Sequence, residues 1–223
     1  VIVRSGALSS EVSITALAQS DGAVNVMVSN GQPLVVGSSS IHLEAQRSAD
    51  GLNQLVVGRE NAAGLTDDIS RFISGGELGA LLSFRDSGIS SARSEIGVLA
   101  IGITESFNAQ HQLGVDLNGQ PGGNLFRPLD PIFTANPSNA GSGSLNVSID
   151  DVSGLTGDNY RVGFDAGQWT VTNLSTQVSQ TGAGPFTIDG LTIGVSGAPS
   201  NGDTFIVEPS TQGASLFSFA ITD

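Results

Sequence analysis

From Ser74 to His111 the apolar residues fall at helical spacing, while the residues on either side read as short strands broken by Gly, Asn and Asp. That contrast limits the chain to a fold mixing helix and strand. Ser74 with Glu77 three positions on has the pattern of a reciprocal N-terminal cap, so a helix is expected to start there. It carries Leu78, Leu81, Leu82 and Arg85, pauses near Ser87-Gly88, and resumes as a longer helix from about Ser90 to His111. On the longer helix Ile89, Ile96 and Ile103 recur with Ala92, Leu99 and Phe107 on the same side. Such a stripe predicts a face buried against neighbouring elements of the chain. The other reading is a seam for helices lying outside these residues.

Before the helical stretch, Val24, Val26 and Val28 alternate with other residues and lead to Asn30-Gly31 and Leu34-Val35-Val36, a hairpin pattern. Further strands are expected at Ile41–Ala45 and Leu55–Val57, with a turn at Asp50-Gly51. After it, the turn formers between Gly114 and Asn124 end the helix. Strands then follow at Gly143–Ile149, Tyr160–Phe164, Gln168–Asn173, Phe186–Ile188, Leu191–Val195, Thr204–Glu208 and Leu216–Ile221. The expected class is α+β: residues 1–118 form part of a helix-containing middle domain with a small β-hairpin sheet, and residues 119–223 an all-β outer domain, sandwich or barrel-like.

Function classes narrow by charge. The net charge of −13 comes from 21 acidic and 8 basic residues, and all eight basic residues are arginines. An acidic surface repels phosphate backbones and anionic lipids, so neither nucleic acid nor membrane is an expected partner. With no lysine there is no Schiff base, and with no cysteine there is no disulfide, thiol nucleophile or thiolate metal site.

Catalytic candidates are few. Neither His42 nor His111 has the gathered company that catalysis needs: His42 falls in an expected strand, and His111 at a helix C-terminus suits the helix dipole. Asp116, Asn118 and Gln120 alternate as in a calcium loop, but Arg127 stands where a bidentate Glu is needed and Pro121 intrudes, so a turn is expected. Asp150-Asp151 reads as a solvated loop, and the glycosylation-like triplets at Asn146 and Asn173 receive no role. Trp169, with Tyr160 and Phe164, reads as an aromatic anchor of a strand pair in preference to a ligand platform. No catalytic residue, cofactor or metal is expected.

Two stretches together, Ser74–Asp86 running into Ala92-Arg93, and Glu105-Ser-Phe-Asn-Ala-Gln-His-Gln-Leu-Gly-Val-Asp-Leu-Asn-Gly119, resemble the bacterial flagellar hook-associated proteins of the FlgK type, the hook–filament junction proteins. Asp21–Val26, Asn30–Gly37, Tyr160-Arg161, Trp169–Val171 and Gly202–Phe205 extend the resemblance over nearly the whole chain. The resemblance implies a non-enzymatic, extracellular component of the flagellum, exported unfolded by the flagellar type III apparatus. It also implies self-assembly of the full-length protein into a junction ring, beside the hook protein and the second junction protein. In such proteins terminal helices form an inner tube, and those polymerising segments are missing from these residues, which are therefore expected to be monomeric alone. Exposed helix positions such as Arg85 and Arg93 are the expected subunit contacts. The rival readings are another flagellar axial protein and a carbohydrate-binding or adhesin-like β domain, the latter requiring an exposed Trp169 beside Tyr160. A glycosidase would need two carboxylates about 5 to 10 Å apart in a cleft.

Overall fold

The computed structural model describes residues 2–20, 22–28, 31–48, 54–60 and 66–221, with side chains from residue 6 onward. The fold is α+β, and the chain divides into two compact units, residues 1–88 and 89–223. This division groups residues by contact and differs in kind from the domain boundary expected near Asn118. Asn30, Asp50 and Gly51, expected in turns, lie outside the described residues.

The first unit opens with α1 (Ile2–Glu11) and a four-stranded antiparallel sheet of β1 (Ile14–Ala18), β2 (Val24–Val28), β3 (Pro33–Val36) and β4 (Ser39–Ser40), in that order. Val26 and Val28 point inward as their alternation demands, and Ile14 pairs with Val28. A second sheet joins β5 (Leu43–Arg47), β6 (Leu55–Glu60) and β7 (Thr66–Asp68). Val12, Val28, Leu34, Ile69 and Ile73 form the core, with Leu8 of α1 and Leu78 and Leu82 of α2 (Gly76–Ser83) packed on it.

The helix starts one residue later than expected: its N-cap is Gly75, at φ 67°, which has no side chain to offer the first turn. Gly75 and Gly76 both take positive φ and run so close to Ser13 and to the backbone of Glu11 that a Cβ on either would overlap them. Tertiary approach, available only to glycine, sets the start of this helix. The expected pause is a π-helical turn, Phe84–Ile89, where the compact units also divide.

In the second unit α3 (Ser90–Gln112) is followed by β8 (Ile132–Ala135), β9 (Ser144–Ile149), β10 (Tyr160–Asp165), β11 (Gln168–Asn173), β12 (Ser179–Gly182), β13 (Phe186–Ile188), β14 (Leu191–Ser196), β15 (Thr204–Glu208) and α4 (Gly213–Leu216). Two antiparallel sheets, ordered β12-β11-β10-β15-β8 and β13-β14-β9, face each other as a sandwich. Tyr160, Val162, Trp169, Val171, Phe205 and Val207 from one sheet meet Leu145, Phe186, Ile188, Leu191 and Ile193 from the other. Each of these large side chains gains about 1.5–3 kcal/mol from burial. Asp203, 2% exposed, ties the loops at one end by accepting N–H bonds from Ala140 (2.8 Å), Ser200 (2.9 Å) and Gly141 (3.1 Å).

The strand expected at Leu216–Ile221 is not formed. Gly213 lets α4 lie against Gly97, and the described residues beyond it pair through an isolated bridge, Phe219 to Phe126, with Phe217 and Phe219 stacked on the Phe126 ring. Two strands have no apolar alternation to reveal them. β8 is a short segment set between Pro131 and Pro137, and β12 is polar, held by hydroxyl pairs Thr170–Thr181 (2.9 Å) and Thr172–Ser179 (2.8 Å).

Candidate functional site

Helix α3 has two working faces, and they are reversed from expectation. The buried face is Ser94, Gly97, Ala100, Ile101, Thr104 and Asn108. Its small residues let the rest of the unit approach closely: a Cβ on Gly97 would overlap the Ser210 carbonyl. Ala100 and Ile101 pack with Leu129, and Asn108 accepts from the Phe126 N–H (2.8 Å) while donating to the Phe126 carbonyl (2.9 Å). The His111 Nδ1–H donates to the Gly123 carbonyl (2.7 Å), a carbonyl being able only to accept, and Gln112 bonds Asn124 (2.6 Å). The segment after the helix is thereby folded back along it.

The stripe expected to be buried is largely uncovered. Ile89, Ile96, Leu99 and Phe107 are 46, 56, 63 and 54% exposed, Ala92 is exposed and Ile103 is half-buried. Leu113, 79% exposed, lies past Ser106 and Gln110, which break the apolar spacing. The seam reading of this stripe fits the exposure, and the packing reading within the chain does not. Side-chain size points to the outer stripe; the inner face is equally periodic, with small and polar Ser94, Gly97, Thr104 and Asn108 around the single large residue Ile101.

Beyond α3, Asp116 closes a turn by accepting N–H bonds from Asn118 and Gln120, both 2.8 Å, and Val115 bridges Pro121. The Gln120 backbone N–H above all holds the Asp116 carboxyl below the usual carboxylate range, against desolvation and with Asn118 adding to it. The carboxylate is thus used as a turn anchor. Among the described residues no group of three His, Asp or Glu side chains is placed to hold a metal ion.

Asp158 and Asp189 share a hydrogen-bond partner. The Asn173 amide donates to both, at 2.9 and 3.2 Å, and the Tyr160 hydroxyl donates to Asp189 (2.7 Å), beside an open cavity of about 430 Å³. Burial pushes Asp158 up, but bonds from Ser175, Asn173 and Thr156 outweigh it and leave the carboxyl below the usual range. Burial first, then the bond to Asp189, raises the Tyr160 hydroxyl well above an ordinary tyrosine. A glycosidase pair needs one carboxyl held protonated, and Asp158 is shifted the other way. The network instead fastens β10 and β11 to the β13–β14 turn.

Trp169 is 6% exposed, edge-on to Phe164 (5.1 Å) and tilted against Phe205 (6.0 Å). It is a core anchor, which removes the main support for a carbohydrate platform. Asn173 is 2% exposed and held by its own bonds. His42 is exposed on the first unit. Arg85 is half-buried, its Nε on Asp86 (2.5 Å) and its guanidinium also bonding the Leu55 carbonyl. The Asp86 bond raises its pKa against opposing desolvation. Arg93 is exposed beside the seam and makes no hydrogen bond or ion pair with the described residues.

Residues 5–126 match the family described as the flagellar hook-associated protein FlgK helical domain, and residues 134–209 that described as the D2-like domain of flagellar hook-associated protein 1. Flagellar hook-associated protein 1 of Escherichia coli (strain K12) is 30% identical over 217 residues, covering 95% of this chain and 40% of the relative. That of Salmonella typhimurium is 31% identical over 204 residues, covering 89% and 37%. The flagellar hook junction protein FlgK from Burkholderia pseudomallei superposes with a TM-score of 0.88 at 33% identity, over 99% of this chain and 42% of that one. The chain thus spans about two fifths of the length of these relatives. By the family match across its first half and the close fold along nearly all its length, the chain belongs to the flagellar hook-associated protein FlgK family.

Proposed function

We propose that this chain is part of a structural protein of the bacterial flagellum that joins hook to filament outside the cell and performs no catalysis. The observation that carries the reading is the uncovered heptad seam of α3, in a chain spanning two fifths of its relatives. An apolar stripe of coiled-coil period requires a helical partner. Helices of the full-length protein beyond these residues are the partner that the family resemblance supplies. In this reading residues 1–118 belong to the middle domain and residues 119–223 to the outer one. Copies of the full-length protein form a ring that meets the hook protein and the second junction protein.

Arg93, exposed and unpaired among the described residues, remains the better subunit contact. Arg85 shares the proposal with part of its bonding capacity already committed to Asp86 and Leu55. Residues 1–223 alone are proposed to be monomeric at micromolar concentration: Ser106 and Gln110 interrupt the seam, and a net charge of −13 opposes self-association. Light scattering that returned a stable higher oligomer would overturn that. The function itself is tested by deleting the gene in the source bacterium and viewing cells by electron microscopy. Hooks without filaments, restored by the full-length gene, are expected; normal filaments in the deletion strain would refute the junction role.

A further inference from the structure

We propose that a short extended segment of another protein, alternating aliphatic residues with arginine or lysine, adds to the free edge of β8 in the opening between β8 and β9. The proposal does not depend on the junction reading and concerns the second unit alone. β8 and β9 each end their sheet, and the opening between them has a volume of about 510 Å³. Leu129, Phe133, Leu145, Val147 and Ile149 line it. Phe133 lies opposite Val207, which is fully buried, yet is itself 37% exposed, so the apolar interior of the sandwich reaches water here.

Register determines what the β8 edge offers. The Asn136 N–H donates to the Thr204 carbonyl, so Thr134 and Ile132, at alternate positions back from it, also turn their backbone groups toward β15. The N–H and C=O of Phe133 and Ala135 therefore face away from the sheet. An added strand needs such free backbone groups for its main chain, and apolar space beside them for every second side chain. Pro131 and Pro137 bracket β8, so the segment that pairs with it is only a few residues long. Phe133 makes β8 the receiving edge, because Leu145 across the opening is only 6% exposed.

Charge selects the class of occupant. Glu105 of α3 and Asp130 line the same opening and are exposed, and neither side chain makes a hydrogen bond or ion pair with the described residues. Asp130 follows Leu129, which packs on Ala100 and Ile101, so both carboxylates stand where α3 passes the opening. Two carboxylates without a counter-ion at the rim of an apolar opening attract a segment that pairs a cation with aliphatic neighbours, and they repel an acidic one. A second copy of the chain does not supply that segment. Among the described residues Arg161 is the one strand arginine with apolar neighbours on both sides, and its strand, β10, is already paired along both edges.

The test is a titration of isotopically labelled residues 1–223, followed by NMR, with a short capped peptide of alternating valine and arginine. The amide signals of Phe133, Ala135 and Val147 are expected to move, and hydrogen exchange at Phe133 and Ala135 to slow. The same peptide with glutamate in place of arginine is expected to leave these signals where they are. Glu105→Gln combined with Asp130→Asn should weaken binding about fivefold. Both positions are exposed, and unchanged signals elsewhere would show that the double variant keeps its fold. No movement at millimolar peptide, equal binding of the glutamate peptide, or movement without slowed exchange at Phe133 and Ala135 would each overturn the proposal. Binding to the double variant as tight as to the parent would overturn the role of the two carboxylates, and none of these results bears on the junction role.

Discussion

The sandwich of the second unit and the helix that precedes it use apolar residues in opposite ways. In the sandwich, large side chains go inward and alternate with polar ones, so Trp169, Val171, Tyr160 and Val162 close a core with Phe186, Leu191 and Ile193. On α3 mostly small and polar residues go inward, around Ile101, while Ile96 and Leu99 point out. The first arrangement is complete within the chain; the second is complete only with something added. Side-chain size reports burial where a domain is self-contained, and it reports a partner where the domain is one part of a larger assembly.

The contrast can be broken from the sandwich side. Trp169→Ala should cost about 3–5 kcal/mol in chemical denaturation, by removing the ring that meets Phe164 and Phe205. A loss under about 1 kcal/mol would show that the core does not depend on its aromatic anchor. Next in size, Asn108→Ala strands the Phe126 N–H and carbonyl against the helix and should cost about 2–3 kcal/mol. Hydrogen exchange should then quicken at the Phe126 amide before it does in the strands of the sandwich.

Acid gives a third, smaller contrast. Asp203 is held below the usual carboxylate range, chiefly by the Ser200 N–H, with Ala140 and Gly141 adding to it against desolvation. A depressed folded-state pKa contributes stability that is present above the unfolded value, near 3.9, and is lost as pH falls through the folded value. Asp203→Asn should therefore lower stability at pH 7 and flatten the decline of stability below about pH 4. Parallel acid-denaturation curves for the two proteins would contradict this.

Most of the sandwich was legible because its strands alternate and its turns carry Gly, Asn or Asp; Gln168–Asn173, Phe186–Ile188 and Thr204–Glu208 fall where the pattern put them. β12 escaped because hydroxyl pairs, which carry no apolar period, hold it at the edge. The start of α2 escaped because the close pass of Gly75 and Gly76 against α1 is a tertiary fact that overrode a good local cap at Ser74. The two faces of α3 were both periodic, and periodicity alone does not say which one the rest of the chain covers. Asn108 and His111 were visible as part of the family stretch, but their work, clamping Phe126 and Gly123, needed the fold.

The smallest expected effect lies on the seam and leads to the deciding experiment. Leu99→Ser in residues 1–223 should change stability by no more than about 0.5 kcal/mol, because the side chain is 63% exposed. Thiol labelling of Leu99→Cys in residues 1–223, which hold no other cysteine, and in the full-length protein with any cysteine elsewhere replaced by serine, then asks whether the seam is covered when the whole polypeptide is present. Fast maleimide reaction in residues 1–223 and strong protection in the full-length protein are predicted. Equal labelling in both would contradict the claim that α3 is built to receive a helical partner from the rest of the protein.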